Sequence, residues 1–253
     1  MSFEHLTFEY LVFMIAKDLG FILRRTDFRD SSVIADIYTL NFGRISGILK
    51  GYYSGKKEFT SSLALFSLNE FVFYPRHRDV WLVSYVDMAA DYDFLPASSA
   101  ASGLAGLFAG LISRTMPAWE SNQDIFHLLG ESFQRLRQSQ DRRLAHWFLL
   151  RYLELSGFKP ELNRCLSCRD SLSAEVMFSI ACGGLLCRLC GRGVADARPI
   201  SPETAAGLLY MQENEFDPVS RLRLSPDAEV QTAAILRQFL LYHLEIDVVK
   251  YVK

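Results

Sequence analysis

The residues best suited to chemistry are the cysteines, and all five lie between Cys165 and Cys190. Four of them form the pattern Cys165-x2-Cys168-x18-Cys187-x2-Cys190. Two C-x-x-C pairs at this separation are typical of a zinc site with four thiolate ligands, because each pair turns tightly enough to direct both sulfurs at one point. Four protein ligands complete a tetrahedron and leave no position for a reactive water. The pattern therefore predicts one structural Zn²⁺ ion.

Between the two pairs, the segment EVMFSI favours a strand and the Gly183–Gly184 pair favours a turn, which together predict a hairpin of the zinc-ribbon kind. The competing interpretation is a redox pair or a set of independent thiols. A reducing cytosol favours metal binding, because disulfides are rare there. Cys182, the fifth thiol, is interpreted as a small apolar residue on the strand, with an alternate metal ligand as the other possibility.

The motifs of common enzyme classes do not occur in the sequence. Zinc deaminases carry H-x-E ahead of P-C-x-x-C. Here His243-Leu244-Glu245 follows the cysteines, and no proline precedes either cysteine pair. The G-x-S-x-G, Walker A and G-x-G-x-x-G patterns are also missing. We therefore expect no catalytic residues and a protein that is not an enzyme.

The stretch FGRISGILKGYYSGKK combines cations, aromatic rings and glycines without an acidic residue. Lysine and arginine neutralise phosphates, and exposed aromatic rings, here Tyr52 or Tyr53, stack on unpaired bases. One interpretation is a nucleic-acid-binding surface, and the other is a solvated hairpin with ordinary turn residues. With two arginines from the preceding segment, the first interpretation assigns these nucleic-acid-binding residues: Arg24, Arg25, Arg44, Lys50, Tyr52, Lys56 and Lys57.

The overall charge limits where nucleic acid can bind. The net charge is −2 and the pI is about 6.2, so any such role depends on local basic patches. The N-terminus carries Glu4 and Glu9 and no basic segment, which does not fit a signal peptide. The uncharged run Leu95 to Ser113 is too short and polar to span a membrane. We expect a cytoplasmic protein without a membrane partner.

Two hydrophobic patterns divide the chain. Residues 20–90 contain short β-branched and aromatic runs at a spacing of about 8–12 residues, which predicts a small barrel or sandwich. From about Pro96 the apolar residues recur at helical spacing. Ser201 is a predicted N-cap, and the last helix is predicted from about Asp227 to Tyr251.

The order of these parts resembles the RecO family of bacterial DNA repair proteins. The segment ILRRTDFRDSSVIADIYTLNFGRISGILKG resembles that family's opening, which ends in G-R-x5-K-G, here Gly43-Arg44 and Lys50-Gly51. FLLRYLELSGFKPELNRCLSC and CGGLLCRLC are similar to the passages that hold the two cysteine pairs, and FLLYHLEIDVVKY is similar to the closing helix.

The resemblance covers about residue 14 to the C-terminus and implies an α+β multidomain fold. Residues 1–13 would be an N-terminal extension, with Met14 as a candidate initiator. An OB-fold β-barrel would span residues 14–92. An α-helical domain would span 93–253, with a four-cysteine zinc-ribbon-like insertion at 163–197. The chain departs from the family where Tyr52-Tyr53 stands in place of basic residues.

The resemblance also implies a function. Such a protein acts in the RecF pathway at the nucleoid, binds single- and double-stranded DNA, and anneals complementary strands. With RecR it helps load RecA onto DNA coated by single-strand DNA-binding protein, whose acidic C-terminal tail it binds. We expect that tail at a helical surface flanked by Arg135, Arg137, Arg142 and Arg143. The alternatives are a zinc-ribbon transcription or translation factor and a zinc-stabilised enzyme acting on RNA.

Overall fold

The structure is a computed structural model. It describes residues 15–54, 63–75, 80–92, 95, 98–172 and 175–247. The chain divides into two compact units, the first from Met1–Ser99 and Phe108–Gln134 and the second from Ala100–Leu107 and Arg135–Lys253. A boundary at residue 92 follows the change from strands to helices, whereas the contacts group residues 108–134 with the strands.

The first unit contains a closed barrel of five strands. The strands are β1 (Ala16–Phe28), β2 (Ser32–Thr39), β3 (Gly43–Leu49), β4 (Leu68–Tyr74) and β5 (Val80–Ala90). Their order is β1-β2-β3-β5-β4, and β4 pairs back onto β1. Neighbouring strands are antiparallel except β3 and β5, which are parallel. This OB-like barrel confirms the fold class predicted for the N-terminal part.

Alternating side chains fill the barrel. In β3 every second residue is buried, and Ile45 and Leu49 point into the same core as Ile37 of β2. Phe71 and Phe73 of β4 complete that core with stacked rings 5.3 Å apart. β-Branched and aromatic side chains suit a pleated, half-buried surface, so the period of two in the sequence leads directly to this barrel.

Helices follow the barrel strands along the chain. They are α1 (Ser99–Thr115), α2 (Gln123–Arg135), α3 (Arg142–Leu155), α4 (Arg188–Gly191), α5 (Pro202–Glu213), α6 (Phe216–Val219) and α7 (Pro226–Leu244). In the second unit α3 packs against α5, α6 and α7, and Trp147, Phe148 and Tyr152 are buried there. None of the described helices is long and apolar enough to cross a membrane.

Helix α2 covers part of the outer surface of the barrel. The rings of Phe126 and Phe133 lie 4.9 and 5.5 Å from the ring of Phe21 on β1. Tyr38 of β2 lies 6.3 Å from Phe126. Phe21 and Tyr38 are fully buried as a result. One part of the β1–β2 surface is therefore occupied by the protein itself.

The ends of α5 and α7 show how local signals set the helices. Ser201 caps α5 as predicted, since its Oγ accepts a hydrogen bond from the backbone N–H of Thr204 at 3.0 Å. Helix α7 ends at Leu244, so the predicted continuation toward Tyr251 is wrong. Glu245 has a φ of 57°, in the left-handed region, which stops the helix.

The cysteine segment of the second unit contains a small antiparallel sheet. Its strands are β6 (Val176–Ser179), β7 (Gly184–Cys187) and β8 (Arg198–Ile200), in the order β7-β6-β8. The β6–β7 hairpin confirms the predicted strand and turn, and Gly183 in the turn has a φ of 87°. The sequence did not indicate β8, which is short and contains Pro199.

Candidate metal centre and nucleic-acid surface

The four cysteines of the predicted site come together in the second unit. The sulfur atoms of Cys165, Cys168, Cys187 and Cys190 all lie within 4.8 Å of one another. The Sγ atoms of Cys168 and Cys187 are 4.0 Å apart. Sulfurs bound to one tetrahedral Zn²⁺ at about 2.3 Å would be about 3.8 Å apart. The donor set and its size therefore fit a single metal ion.

Backbone turns place these sulfurs. In the first pair, the N–H of Arg169 donates to the carbonyl of Cys165 at 2.9 Å, and Arg169 has a φ of 65°. In the second pair, Cys187 caps helix α4, and the N–H of Cys190 donates to the Cys187 sulfur at 3.5 Å. The N–H of Cys187 donates to the Cys165 sulfur at 3.3 Å and joins the two pairs. Such bonds stabilise thiolate sulfur.

The thiol pKa values show that the cluster needs a cation to hold four thiolates. Burial raises the pKa of Cys165, but backbone hydrogen bonds from Cys187, Cys168 and Ser167 outweigh it and lower the pKa to about 6. For Cys168 a backbone hydrogen bond from Asp170 lowers the pKa, whereas the Cys165 sulfur and burial raise it, to about 12. Four sulfurs this close cannot all be thiolates unless a cation balances their charge.

Cys182 lies outside this group of four. It is exposed in the turn after β6, where its N–H donates to Ser179 Oγ at 3.0 Å. The expectation of an apolar residue on the strand is therefore wrong. The turn starts directly after the last residue of β6, so Cys182 lies in the turn and its thiol is exposed to solvent.

Arg44, predicted to bind nucleic acid, holds a loop onto the barrel. Its Nε donates to the carbonyl of Met116 at 3.1 Å, and its own carbonyl accepts from the N–H of Trp119 at 3.2 Å. Gly43 has a φ of 67°, and a Cβ at this position would lie 2.1 Å from the carbonyl oxygen of Glu120. We call residues 116–120 the strap. The Gly-Arg pair thus has a packing role within the first unit.

Arg24 and Arg25 are both exposed, but they lie on opposite faces of β1, because successive strand residues alternate. Arg24 stands across from Asp36 in the β1–β2 register. Arg25 donates through Nη1 to the carbonyl of Leu63 at 2.9 Å. A shift in register lies between Ile22 and Arg24. The structure does not gather these cations into one patch.

Lys50 is exposed directly after β3. Tyr52 is half-buried against the barrel core, and its hydroxyl accepts from the N–H of Leu63 at 3.1 Å. Tyr53, with 53% of its surface exposed, presents the more accessible ring. Lys56 and Lys57 lie outside the described residues. The YY pair was visible in the sequence, but which of the two rings faces solvent depends on the contact with Leu63.

Together these features define a class of protein: a closed OB-like barrel followed by a helical part that carries a four-cysteine metal module. The comparisons with known proteins agree with this class. Residues 14–88 match the family model described as recombination protein O N terminal, and residues 98–251 match the one described as recombination protein O C terminal. The chain belongs to the RecO family of DNA repair proteins.

Several curated relatives match this chain along most of its length. The DNA repair protein RecO of Syntrophus aciditrophicus is 30% identical over 232 residues, which cover 88% of this chain and 89% of that protein. The RecO protein of Pelotomaculum thermopropionicum is 28% identical over 230 residues, which cover 91% and 90%. The RecO protein of Chlorobium limicola is 31% identical over 166 residues, which cover 64% and 63%.

Proposed function

We propose that this protein is a recombination mediator without catalytic activity. It binds single- and double-stranded DNA, anneals complementary strands, and with RecR helps load RecA onto DNA coated by single-strand DNA-binding protein. The observation that carries this proposal is the family match along both parts of the chain, on a barrel of a type that binds nucleic acid in other proteins. We expect the protein at the nucleoid, because chromosomal DNA is its proposed substrate.

The metal proposed for the four cysteines is one Zn²⁺ ion. Soft thiolate donors in a compact group of four favour zinc over hard cations such as Mg²⁺ or Ca²⁺. The bound ion would supply a structural crosslink. Through this ion the loop that carries the first cysteine pair would be fixed to the β6–β7 hairpin. The N–H of Leu166 in that loop already donates to the carbonyl of Leu185 at 2.9 Å. The module needs this crosslink because its sheet is too small to bury a large core.

The proposed DNA contacts lie at the β1–β2 side of the barrel. Arg24 and Lys50 are exposed there, and Arg25 lies at the same end of the strand. Cations of this kind bind phosphates without sequence preference and release counterions, which makes the affinity depend on salt. Lys56 and Lys57 are proposed as further phosphate contacts, whereas Arg44 is engaged with the strap.

The proposed site for the acidic tail of the single-strand DNA-binding protein lies in the second unit. A hollow of about 340 Å³ is lined by Tyr210, Asp217, Pro218, Arg221 and Leu222. Its apolar walls fit an aromatic or aliphatic side chain, and its exposed arginine fits a carboxylate.

Of the four arginines predicted to flank the tail, two contact residues that line this hollow. Arg135 pairs with Asp217, and Arg143 donates to the carbonyl of Leu222 at 2.9 Å. Arg137 and Arg142 are exposed nearby in sequence. Crosslinking of the tail peptide to a different surface would refute this assignment.

Strand annealing tests the proposed function. Complementary oligonucleotides coated with the cognate single-strand DNA-binding protein should anneal faster when this protein is added. Lys50→Ala should slow annealing and reduce the slope of log K against log salt by about 0.7, the value for one phosphate contact on a single strand. Lys17→Ala is the matched control on the same barrel, since Lys17 is 62% exposed and pairs with Glu70.

The result that would overturn the proposal is a protein with one metal ion per chain that does not accelerate annealing. Tight binding to one particular sequence, with weak binding to mixed strands, would instead favour a zinc-ribbon transcription factor.

A further inference from the structure

A hollow in the second unit lies between helix α5 and the segment that carries the cysteines. Its volume is about 310 Å³, and we call it the α5 groove. Its apolar walls include, on the cysteine side, Leu162 and Leu172 and, on the α5 side, Ala205, Ala206 and Leu209. Among the described residues that line it, none is charged and none is aromatic. The groove thus offers mostly aliphatic surface, to which Asn163 and Ser171 add an amide and a hydroxyl.

The wall on the cysteine side is tied to the four-cysteine cluster. Leu162 and Leu172 lie on either side of the loop that carries the first cysteine pair. The N–H of Cys165 donates to the carbonyl of Asp170 at 3.0 Å, which closes this loop near its base. Leu172 also packs against the small core that contains Cys165. The geometry of the cysteine cluster therefore sets where this wall lies.

The α5 wall is built from small side chains. Ala205 and Ala206 precede Leu209 by one helical turn, so the three side chains share one face of the helix. Gln212 Nε2 donates to the carbonyl of Pro160 at 3.0 Å and joins α5 to the chain at the start of the opposite wall. Alanines let a second helix approach closely, because the distance between packed helices depends on the side chains at the contact. This wall therefore suits a helical ligand.

Two arginines stand on the cysteine side of the groove. Arg164 adjoins the lining residue Asn163, and its side chain is 56% exposed, while that of Arg169 is 61% exposed. Both guanidinium groups face the carboxylate of Glu161, at N–O distances of 3.7 and 3.6 Å, which are too long for hydrogen bonds. Their N–H groups can therefore bind a carboxylate on a ligand.

Most acidic side chains around the groove are engaged with other residues. Those nearest in sequence to the lining residues have these partners within the protein: Asp170 with Cys168, Glu175 with Arg188, and Glu203 with Ser225. Glu213 is exposed one turn beyond Leu209, at the end of α5. The charges therefore favour a ligand that places carboxylates against Arg164 and Arg169.

An acidic helix fits these features better than a nucleic acid does. Phosphates could pair with the arginines, but unpaired bases stack on aromatic rings, and the described lining residues include none. Amphipathic helices, in contrast, bind apolar grooves through side chains at positions i, i+3, i+4 and i+7. A groove bordered by α5 and by cationic side chains therefore matches a helix with an apolar face and an acidic flank.

We propose that the α5 groove binds an acidic amphipathic helix of a partner protein, with the apolar face in the groove and the carboxylates on Arg164 and Arg169. This inference goes beyond the proposed function, in which this surface has no role. The groove is also lined by different residues from the hollow proposed for the acidic tail. It gives the cysteine module a task, since the loop of the first cysteine pair builds one wall of the binding site.

Selection from a peptide library tests the proposal without assuming a particular partner. Phage-displayed peptides of about 16 residues, roughly four helical turns, carry leucines at helical spacing and random residues elsewhere. They are selected on the full-length protein and sequenced. Enriched peptides should carry an excess of Asp and Glu on one flank. Failure to enrich any peptide, or enrichment without acidic residues, would overturn the proposal.

Variants locate the binding site by fluorescence anisotropy of a labelled copy of the enriched peptide. Ala206→Arg places a long side chain in the groove at an exposed position and should weaken binding about tenfold or more. Arg164→Glu should weaken it about tenfold, because it repels the acidic flank. The matched controls are Ala234→Arg, at an exposed alanine of α7, and Arg223→Glu, and both should bind as the wild type does. Metal content and melting temperature equal to the wild type show that the variants fold.

Equal binding by the wild type, Ala206→Arg and Arg164→Glu would overturn the proposal. Displacement of the peptide by an oligothymidine would also overturn it and make the surface a nucleic-acid site. Displacement by the acidic tail peptide would overturn it as well, since the groove would then be the tail site. Annealing of bare strands by Ala206→Arg should match the wild type, and a loss would assign the groove to DNA instead.

Discussion

Replacing Gly43 with alanine should detach the strap from the barrel. Gly43 has a φ of 67°, and a Cβ there would lie 2.1 Å from the carbonyl oxygen of Glu120, well inside contact distance. The clash is with backbone rather than with a flexible side chain, so a rotamer change cannot relieve it. Either the strand or the strap must move by about 1 Å, which is the shortfall from an ordinary carbon–oxygen contact of about 3.3 Å.

The loss of folding free energy caused by Gly43→Ala has two parts. An alanine in the left-handed region loses about 1–2 kcal/mol relative to glycine. Moving the strap also breaks the hydrogen bonds that join it to Arg44, from Nε to Met116 and from the N–H of Trp119, at about 1 kcal/mol each. We expect Gly43→Ala to lower the free energy of unfolding by about 3–4 kcal/mol.

Gly157→Ala provides the matched control. Gly157 has a φ of 82°, but nothing lies within 4 Å of the position a Cβ would take. It should therefore show the conformational cost alone, about 1–2 kcal/mol. The difference between the two variants isolates the contribution of the strap.

Urea unfolding followed by tryptophan fluorescence is the appropriate assay. The rings of Trp81 and Trp119 lie 4.7 Å apart in the first unit, so their emission reports the strap. Because the chain has two compact units, the fit should allow two transitions. Equal destabilisation by Gly43→Ala and Gly157→Ala would refute the reasoning, since the strap would then contribute nothing at this position.

Three further predictions concern the second unit. In the folded protein, burial and the charge of Arg142 lower the pKa of His146 to about 4, whereas in the unfolded chain it keeps its usual value of about 6.5. As the pH falls below about 6.5, the unfolded chain therefore binds a proton before the folded protein does. Stability should fall by about 2 kcal/mol between about pH 7.5 and pH 5, and His146→Gln should flatten that change in thermal melts; an equally steep profile for the variant would contradict this. Cys168→Ser should lose the bound metal and several degrees of melting temperature, whereas Cys182→Ser should keep both; metal analysis decides, and retention of metal by the first variant would exclude the site. Ser201→Ala should cost about 1 kcal/mol by removing the cap of α5, and an unchanged urea midpoint would show that the cap is unimportant.

The four-cysteine cluster was predictable because its geometry is local. Each C-x-x-C pair closes its own turn, and the separation of the pairs matches one hairpin, so the spacing leaves few other arrangements. The surroundings of the residues predicted to bind nucleic acid were less predictable, because they depend on contacts between distant residues. Arg44 donates to the carbonyl of Met116, which lies far along the chain, and the Tyr52 hydroxyl accepts from the N–H of Leu63. The sequence alone does not show which cationic side chains are already engaged in such contacts.

The fold shows the same contrast between local features, which the sequence indicates, and contacts between distant residues, which it does not. Alternation in β2 to β5 and the helical spacing after residue 98 were legible, since each is a property of a short segment. The end of α7 was missed because a left-handed Glu245 carries no signal of the kind that glycine gives. The grouping of residues 108–134 with the strands depends on Phe126 and Phe133 meeting Phe21, which periodicity alone does not indicate.

The closed barrel restricts how other proteins can attach. Since β4 pairs back onto β1 along Ala16–Phe21, this part of the barrel presents no open edge to which a foreign strand could add. In the small sheet, Leu185 of β7 already bonds Glu161 and Leu166, and β8 contains Pro199, which has no N–H to donate. These parts of the two sheets are thus protected against edge-to-edge aggregation and against strand addition. A partner protein that met these parts of the sheets would have to be recognised through side chains, and a single substitution could then remove one contact without disturbing the backbone.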